Sequence, residues 1–363
     1  MLRYRTDAIV SRVRLGDGAL DGLGELVRTA AAPAKVVLVT DSTVGRLHGR
    51  RAERSLRRAG LPSVRVTIPA GERSKSVAHL ALLWNAFDRA MLSRRDAVVA
   101  LGGGVVGDLA GFAASTWLRG VPWVAVPTTL LAQVDSSVGG KTGIDLPTGK
   151  NLVGAFHQPA GVVVDPSVLA TLPPRHIRAG LAEVLKTGMA ADAALFRWCE
   201  ANADALAAQE LPVLASAVAR CIRVKARVVQ ADEREREGGS RTALNLGHTL
   251  GHAIESALGY RRMLHGEAVA IGLRAAAALS VSVAGLDPGS RVRLEAMLDH
   301  VGLPLRMPPL PMRTLLAAMQ RDKKRSSRVV RWVLTPSIGA ASVPRAVAST
   351  FVRAALVPLG ARG

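Results

Sequence analysis

Short, unbroken apolar runs alternate with longer amphipathic stretches through the first half of the chain. Lys35–Asp41 (KVVLVTD), Val64–Ile68, Ala97–Leu101 (AVVAL), Trp123–Pro127 (WVAVP) and Val162–Asp165 read as strands. Helical spacing predicts helices around Gly18–Ala31, Gly45–Ala59, Val77–Met91 and Asp108–Ala114. Strands that are apolar throughout, separated by helices, imply a parallel sheet covered on both faces. Beyond about residue 170 the strand signal gives way to Ala/Leu/Val-rich helical stretches, apart from Val329–Leu334. The residue before a proline is biased toward extended backbone, so Leu172-Pro173-Pro174 marks the expected boundary. The reading is an α/β domain with a parallel sheet over residues 1–173 and a mainly α-helical domain over 174–363.

Composition narrows the class. Apolar residues make up 49% of the chain and charged residues 21%, a globular balance. Two cysteines, Cys199 and Cys221, exclude a disulfide framework and a Cys-rich zinc module, and they suit a reducing compartment. The opening MLRYRTDAIVSRVRLGDG lacks the apolar core of a signal peptide, and Ala268–Gly285 reads as a buried helix of small residues, with Arg274 inside it. A cytoplasmic enzyme is expected, with no membrane partner. The net charge of +20 raises nucleic acid as a partner, but the basic residues are scattered and aromatics are only 3%, so none is expected.

The balance of cations says more. Of 48 basic residues only eight are lysines, so arginine is the default cation here. Lysine is required where a compact, tunable ammonium is needed. Lys75, Lys141, Lys150, Lys186, Lys225, Lys323 and Lys324 all fall in segments singled out below.

Gly102-Gly103-Gly104-Val105-Val106-Gly107 is a G-x-G-x-x-G directly after a strand and before a helix, the setting in which backbone amides approach a pyrophosphate. Asp108 follows where such loops usually continue apolar. Asp41, at the end of KVVLVTD, reads either as a ribose-hydroxyl acceptor or as part of a helix cap. Val138-Gly139-Gly140-Lys141-Thr142 imitates a Walker A ending, but Asp135 stands where that motif needs glycine. What remains is a lysine on a loop beside a carboxylate, suited to a substrate phosphate or hydroxyl.

In RTALNLGHTLGHAIES, Arg241, Asn245, His248 and His252 recur at spacings of 4, 3 and 4, which predicts one polar face on a single helix. His265-Gly266-Glu267 opens the next apolar stretch, and Glu183 and Lys186 share a face in GLAEVLKTG. Three imidazoles and a carboxylate are ordinary zinc ligands. Spacing alone selects His248 and His252 as the pair, without the glutamate that a metalloprotease places between them.

Taken in order, GGGVVGDLAGFAASTWLRG, PTTLLAQVDSSVGGKTGIDLPTGKNLVGAFHQP, GLAEVLKTG, LNLGHTLGHAIE, LHGEAVAIG and RDKK resemble the 3-dehydroquinate synthases of the sugar-phosphate cyclase superfamily, from about Asp41 to Val343. The resemblance implies a Rossmann-like N-terminal domain and conversion of 3-deoxy-D-arabino-heptulosonate 7-phosphate to 3-dehydroquinate plus phosphate, a step of the shikimate pathway. It implies NAD-mediated transient oxidation, phosphate elimination, re-reduction and aldol closure, with one divalent metal, Zn or Co.

Carried over by residue, the resemblance puts the metal on Glu183, His248 and His265, which moves His252 from ligand to substrate contact. NAD contacts would be Asp41, Glu72, Lys75, Gly103, Gly104, Asp108, Thr128, Thr129, Leu131, Asp135, Lys141 and Thr171. Substrate contacts would be Asp135, Lys141, Lys150, Asn151, Lys186, Lys225, Arg241, Asn245, His252 and one of Lys323 or Lys324. Arg119 would reach the neighbouring subunit's site, which implies a homodimer. The chain departs from the family at Thr43, at Thr187, and in ADEREREGGSR, two residues longer than usual. An aminodehydroquinate synthase, another secondary-metabolic cyclase and a metal-dependent polyol or glycerol-phosphate dehydrogenase remain as alternatives.

Overall fold

The computed structural model describes residues 2–6, 9–236, 238–323, 330–342 and 344–362, the side chains of residues 321–323 excepted. The chain divides into two compact units. The first comprises Met1–Pro173 with Lys225–Gln230, and the second Pro174–Val224 with Ala231–Gly363.

In the first unit the elements run β1 (Leu2–Arg5), β2 (Val10–Leu15), α1 (Leu23–Ala31), β3 (Val36–Asp41), α2 (Ser42–Arg58) and β4 (Ser63–Ile68). They continue through α3 (Val77–Arg89), β5 (Ala97–Gly102), α4 (Gly104–Thr116), β6 (Trp123–Pro127), β7 (Lys141–Leu146), β8 (Gly149–Phe156) and β9 (Gly161–Val164). Seven strands form one sheet in the order β1-β2-β9-β6-β5-β3-β4, parallel except for the β1–β2 pair. Every residue of β5, β6 and β9 is buried, as a sheet covered on both faces requires. Leu23, Leu26, Leu38, Leu56, Val99, Leu101, Val124 and Val163 make the core on one face. The five expected strands are all present. β1 and β2 alternate too weakly to stand out as strands, and Lys141, expected on a loop, opens β7 of the β7–β8 hairpin.

The second unit holds α5 (Pro174–Ala191), α6 (Ala193–Ala201), α7 (Ala203–Ala207), most of α8 (Leu211–Ala231), α9 (His248–Ala257), α10 (His265–Val283) and α11 (Pro288–His300). After these come β10 (Leu310–Pro311), α12 (Met312–Lys323), β11 (Arg331–Trp332), β12 (Arg345–Ala346), α13 (Ser349–Leu356) and β13 (Ala361–Arg362). α5 starts on Pro174, where the missing N–H costs nothing. α10 is long and apolar enough to cross a membrane, but 72% of its apolar window is buried within the protein. Its Ile271 and Leu279 share one core with Leu250, Ile254, Leu315, Trp332 and Leu356.

One helix prediction fails. Arg241 and Asn245 lie on a separate 3₁₀ turn, Ser240–Asn245, and α9 begins only at His248. Gly247, at φ +82°, breaks the run, and a Cβ there would stand 2.9 Å from the backbone nitrogen of Leu273. The four polar residues therefore do not share one helical face.

Candidate active site

Helix approach builds the second unit's polar cluster. A Cβ on Gly266 would sit 1.8 Å from the carbonyl oxygen of Ala179, and one on Gly272 would sit 1.9 Å from that of Gly247. Lacking those atoms, α10 lies directly against α5 and the start of α9. Glu183 on α5 is 0% exposed, and His248 and His265 are the first residues of their helices.

The ligand atoms of Glu183, His248 and His265 all lie within 4.8 Å of one another. Nε2 of His265 stands 3.4 Å from Glu183 Oε1, and Nε2 of His248 stands 3.9 Å from it. Two donors each about 2.0–2.1 Å from a tetrahedral cation would be about 3.4 Å apart. One carboxylate and two imidazoles at these separations fit a divalent cation. Lys186 closes the other side of the carboxylate, with Nζ 2.5 Å from Glu183 Oε2.

Burial, followed by the Lys186 charge, holds His248 well below its usual value, as a neutral ligand requires. Burial opposes the charged form of His265 too, but Glu255 and Glu183 outweigh it and raise the ring to about 10. The carboxylates that favour that cation are groups a dication would also satisfy. His252 stacks edge-on against His248, with ring centroids 5.2 Å apart, and forms an overlapping donor group with Glu255 and His265.

Arg241 is 3% exposed. The carboxylate of Asp232 accepts its backbone N–H at 3.2 Å, and its guanidinium donates to the carbonyl of Glu233. Asn245 donates its amide to Glu235, which sits at φ +50° in the lengthened loop. Lys324 and the Lys323 side chain lie outside the described residues.

In the first unit, Gly103 joins β5 to α4 and leaves the amides of the helix N-terminus facing a cavity lined by Gly103, Gly107, Asp108, Ser137 and Lys141. A Cβ on Gly107 would meet nothing within 4 Å. Thr128 Oγ1 and Ser137 Oγ are buried without a hydrogen-bond partner among the described residues. Of these two hydroxyls Ser137 lines the cavity, and with the uncapped helix N-terminus it suits an anionic group such as a phosphate.

The other expected NAD residues also belong to the first unit. The Asp41 side chain caps α2, with Oδ1 accepting from the backbone of Thr43 (2.8 Å) and Val44 (2.9 Å), so the capping role is filled. Thr129 and Leu131 lead into a π-helical turn, Ala132–Ser136, that carries Asp135. Thr171 Oγ1 lies 3.0 Å from His48 Nε2.

A second set of charges meets at the β7–β8 hairpin. Lys75 is 4% exposed; its Nζ donates to Asp108 at 2.5 Å and to Asn151, and lies 3.9 Å from Asp145. Burial disfavours the ammonium, yet Asp108 and Asp145 outweigh it and raise its pKa. Lys150 pairs with Glu72 at 2.9 Å. Asn151 adopts φ +54°, held by its N–H to Asp145 Oδ1 at 2.9 Å. Arg119 is exposed at φ +67° on the turn after α4.

Sequence reasoning passed over Asp145, Asp232 and Glu255. Glu255 follows His252 by three positions on α9, a same-face spacing that could have revealed it.

Residues 65–179 match the 3-dehydroquinate synthase N-terminal family, and residues 180–325 match the 3-dehydroquinate synthase C-terminal family. The chain belongs to the 3-dehydroquinate synthase family. It is 47% identical over 344 residues to the 3-dehydroquinate synthase of Bordetella pertussis, covering 95% of each chain. Its identity to the Citrifermentans bemidjiense enzyme of the same name is 45% over 344 residues, covering 95% of this chain and 94% of that one. Among solved structures it resembles a 2-epi-5-epi-valiolone synthase from Streptomyces hygroscopicus subsp. jinggangensis, determined with NAD+ and Zn2+ bound. That likeness has a TM-score of 0.86 at 28% identity and covers 96% of both chains.

Proposed function

We propose that this chain is a 3-dehydroquinate synthase, a phosphate-eliminating carbon–oxygen lyase. It converts 3-deoxy-D-arabino-heptulosonate 7-phosphate to 3-dehydroquinate and phosphate, in the cytoplasm and as a homodimer. The observation that carries this reading is the meeting of Glu183, His248 and His265 within 4.8 Å, in a chain 47% identical to a named synthase. When bound, NAD would supply a reversible hydride acceptor and a divalent cation, Zn or Co, a Lewis acid.

The chain's own residues hold and orient. Glu183, His248 and His265 would bind the cation. The Gly103–Gly104 turn, with Asp41, Glu72, Lys75, Asp108, Thr128, Thr129, Leu131, Asp135, Lys141 and Thr171, would bind the dinucleotide. Lys150, Asn151, Asn245 and His252 would hold the phosphate, whose leaving oxygens accept the proton. Arg241 and Lys225 would grip the carboxylate, the guanidinium as a two-pronged donor. Asp135 and Lys186 would orient ring hydroxyls, and Lys141 and one of Lys323 or Lys324 would complete the substrate contacts. Arg119 would enter the site of the second subunit. Positioned charge, in place of one strong base, supplies the rate.

The test is phosphate release from the C7 heptulosonate phosphate, with and without NAD and a chelator. Release that requires catalytic NAD, stops with chelator and leaves no NADH absorbance supports the synthase. Stoichiometric NADH, or no phosphate release under any condition, overturns it.

A further inference from the structure

The two nitrogens of His265 face two different carboxylates. Nδ1 lies 2.9 Å from Glu255 Oε2, and Nε2 lies 3.4 Å from Glu183 Oε1. The first separation is that of a hydrogen bond, with nothing between the atoms. The second matches the roughly 3.4 Å between two donors sharing a tetrahedral cation. We propose that Glu255 is a positioning residue: its carboxylate takes the Nδ1–H of His265, turns the ring, and leaves the Nε2 lone pair as the metal-binding atom. This rests on the reading that Glu183, His248 and His265 hold a divalent cation.

Imidazole chemistry supports the assignment. A neutral ring carries one N–H and one lone pair, and a carboxylate accepts only. Placing an acceptor at Nδ1 therefore fixes the proton there and the donor pair at the far nitrogen. Glu255 is 3% exposed on α9, next to the core residue Ile254. A carboxylate buried so deeply is costly unless it is bonded, and His265 supplies such a bond across ten residues of sequence. The alternative cluster of His252, Glu255 and His265 would make Glu255 itself a ligand. The 2.9 Å contact is shorter than the spacing of donors around a common cation and favours the orienting role.

The experiment compares wild type, Glu255→Gln and Glu255→Ala for Zn2+ and Co2+ affinity, by competition with a chromophoric chelator. NAD affinity of each variant serves as the check on folding. Glutamine keeps an acceptor oxygen but loses the charge, whereas alanine removes both. Expected are about 10-fold weaker metal binding for Glu255→Gln and about 100-fold for Glu255→Ala, with unchanged NAD affinity. The visible bands of the Co2+ protein should keep their positions in Glu255→Gln, because the ligands stay the same. The ¹⁵N signals of His265 in the Zn2+ protein should report a protonated Nδ1. If alanine prevents folding, Glu255→Gln decides alone. Wild-type affinity in Glu255→Gln, or Co2+ bands that move, overturns the positioning role while leaving the cation site standing. A wild-type chain that takes up no cation overturns both.

Discussion

Lys225 Nζ donates to the backbone carbonyl of Asp135 at 2.5 Å and to the same residue's carboxylate, across 90 positions of sequence. Lys225 opens the short stretch of α8, Lys225–Gln230, that packs as part of the first unit. The ammonium and the carboxylate hold each other in place, so their mutations should not act independently. Lys225→Met and Asp135→Asn are each expected to lower kcat/KM by about 100-fold or more, and the double variant to be no more than about 10-fold worse than the poorer single. Steady-state phosphate release measures this; multiplicative losses would show that the pair is not one unit.

Arg241 is held from both ends, through its backbone by Asp232 and through its guanidinium by Glu233. Only a planar fork offers two parallel donors to a substrate carboxylate. Arg241→Lys is therefore expected to lose about 10-fold or more in kcat/KM, and Arg241→Ala about 1,000-fold. Near-normal kinetics in the alanine variant would remove the carboxylate assignment.

Gly266 lies where α10 meets α5, and its neighbour His265 must reach Glu183. An added methyl would strike the Ala179 carbonyl at 1.8 Å, a backbone atom that cannot swing aside. Gly266→Ala should lower stability by about 1–3 kcal/mol and the bound metal to below one per chain. Calorimetry and elemental analysis check the two effects separately.

Gly107 offers the opposite case. Its added methyl meets nothing within 4 Å, and alanine is the better helix former in α4. Gly107→Ala should raise stability by about 0.5–1 kcal/mol while weakening NAD binding, because the methyl stands on the first turn of α4 beside the glycine turn proposed to hold the dinucleotide. A variant that binds NAD normally would place the dinucleotide elsewhere.

Burial pushes the Cys199 thiol up to about 12, against a weaker opposing pull from Arg220. The folded pKa is raised, so the thiol's contribution to stability is complete below the unfolded value of 9.0 and is lost as pH rises through about 12. Native protein should resist iodoacetamide at pH 8, and thermal stability should fall less steeply above pH 9 in Cys199→Ala than in wild type. Parallel pH profiles would contradict this.

Much of the first unit was legible because its signals are local. β5, β6 and β9 are apolar along their whole length, β3 is apolar from Val36 to Val39, and the glycine turn follows β5 directly. The β7–β8 hairpin was not legible. Its residues Lys141–Phe156 include three glycines and a proline, which weaken any strand pattern, and it pairs apart from the main sheet. Asp145 belongs to the same blind spot, since nothing in KTGID announces that its carboxylate will pin Asn151 at a positive φ.

For the second unit, the sequence by itself determined the inventory: rare lysines, three clustered histidines, Glu183, and motif order specific enough to name a family. Spacing alone paired His248 with His252, whereas the donors that meet Glu183 are His248 and His265, and it drew one helix where Gly247 makes two elements. Only the tertiary structure decided which donors meet, because that depends on how closely α5, α9 and α10 approach. Gly247, Gly251, Gly266 and Gly272 permit the approach by what they lack, and the missing Cβ acquires meaning only when a distant backbone occupies its place.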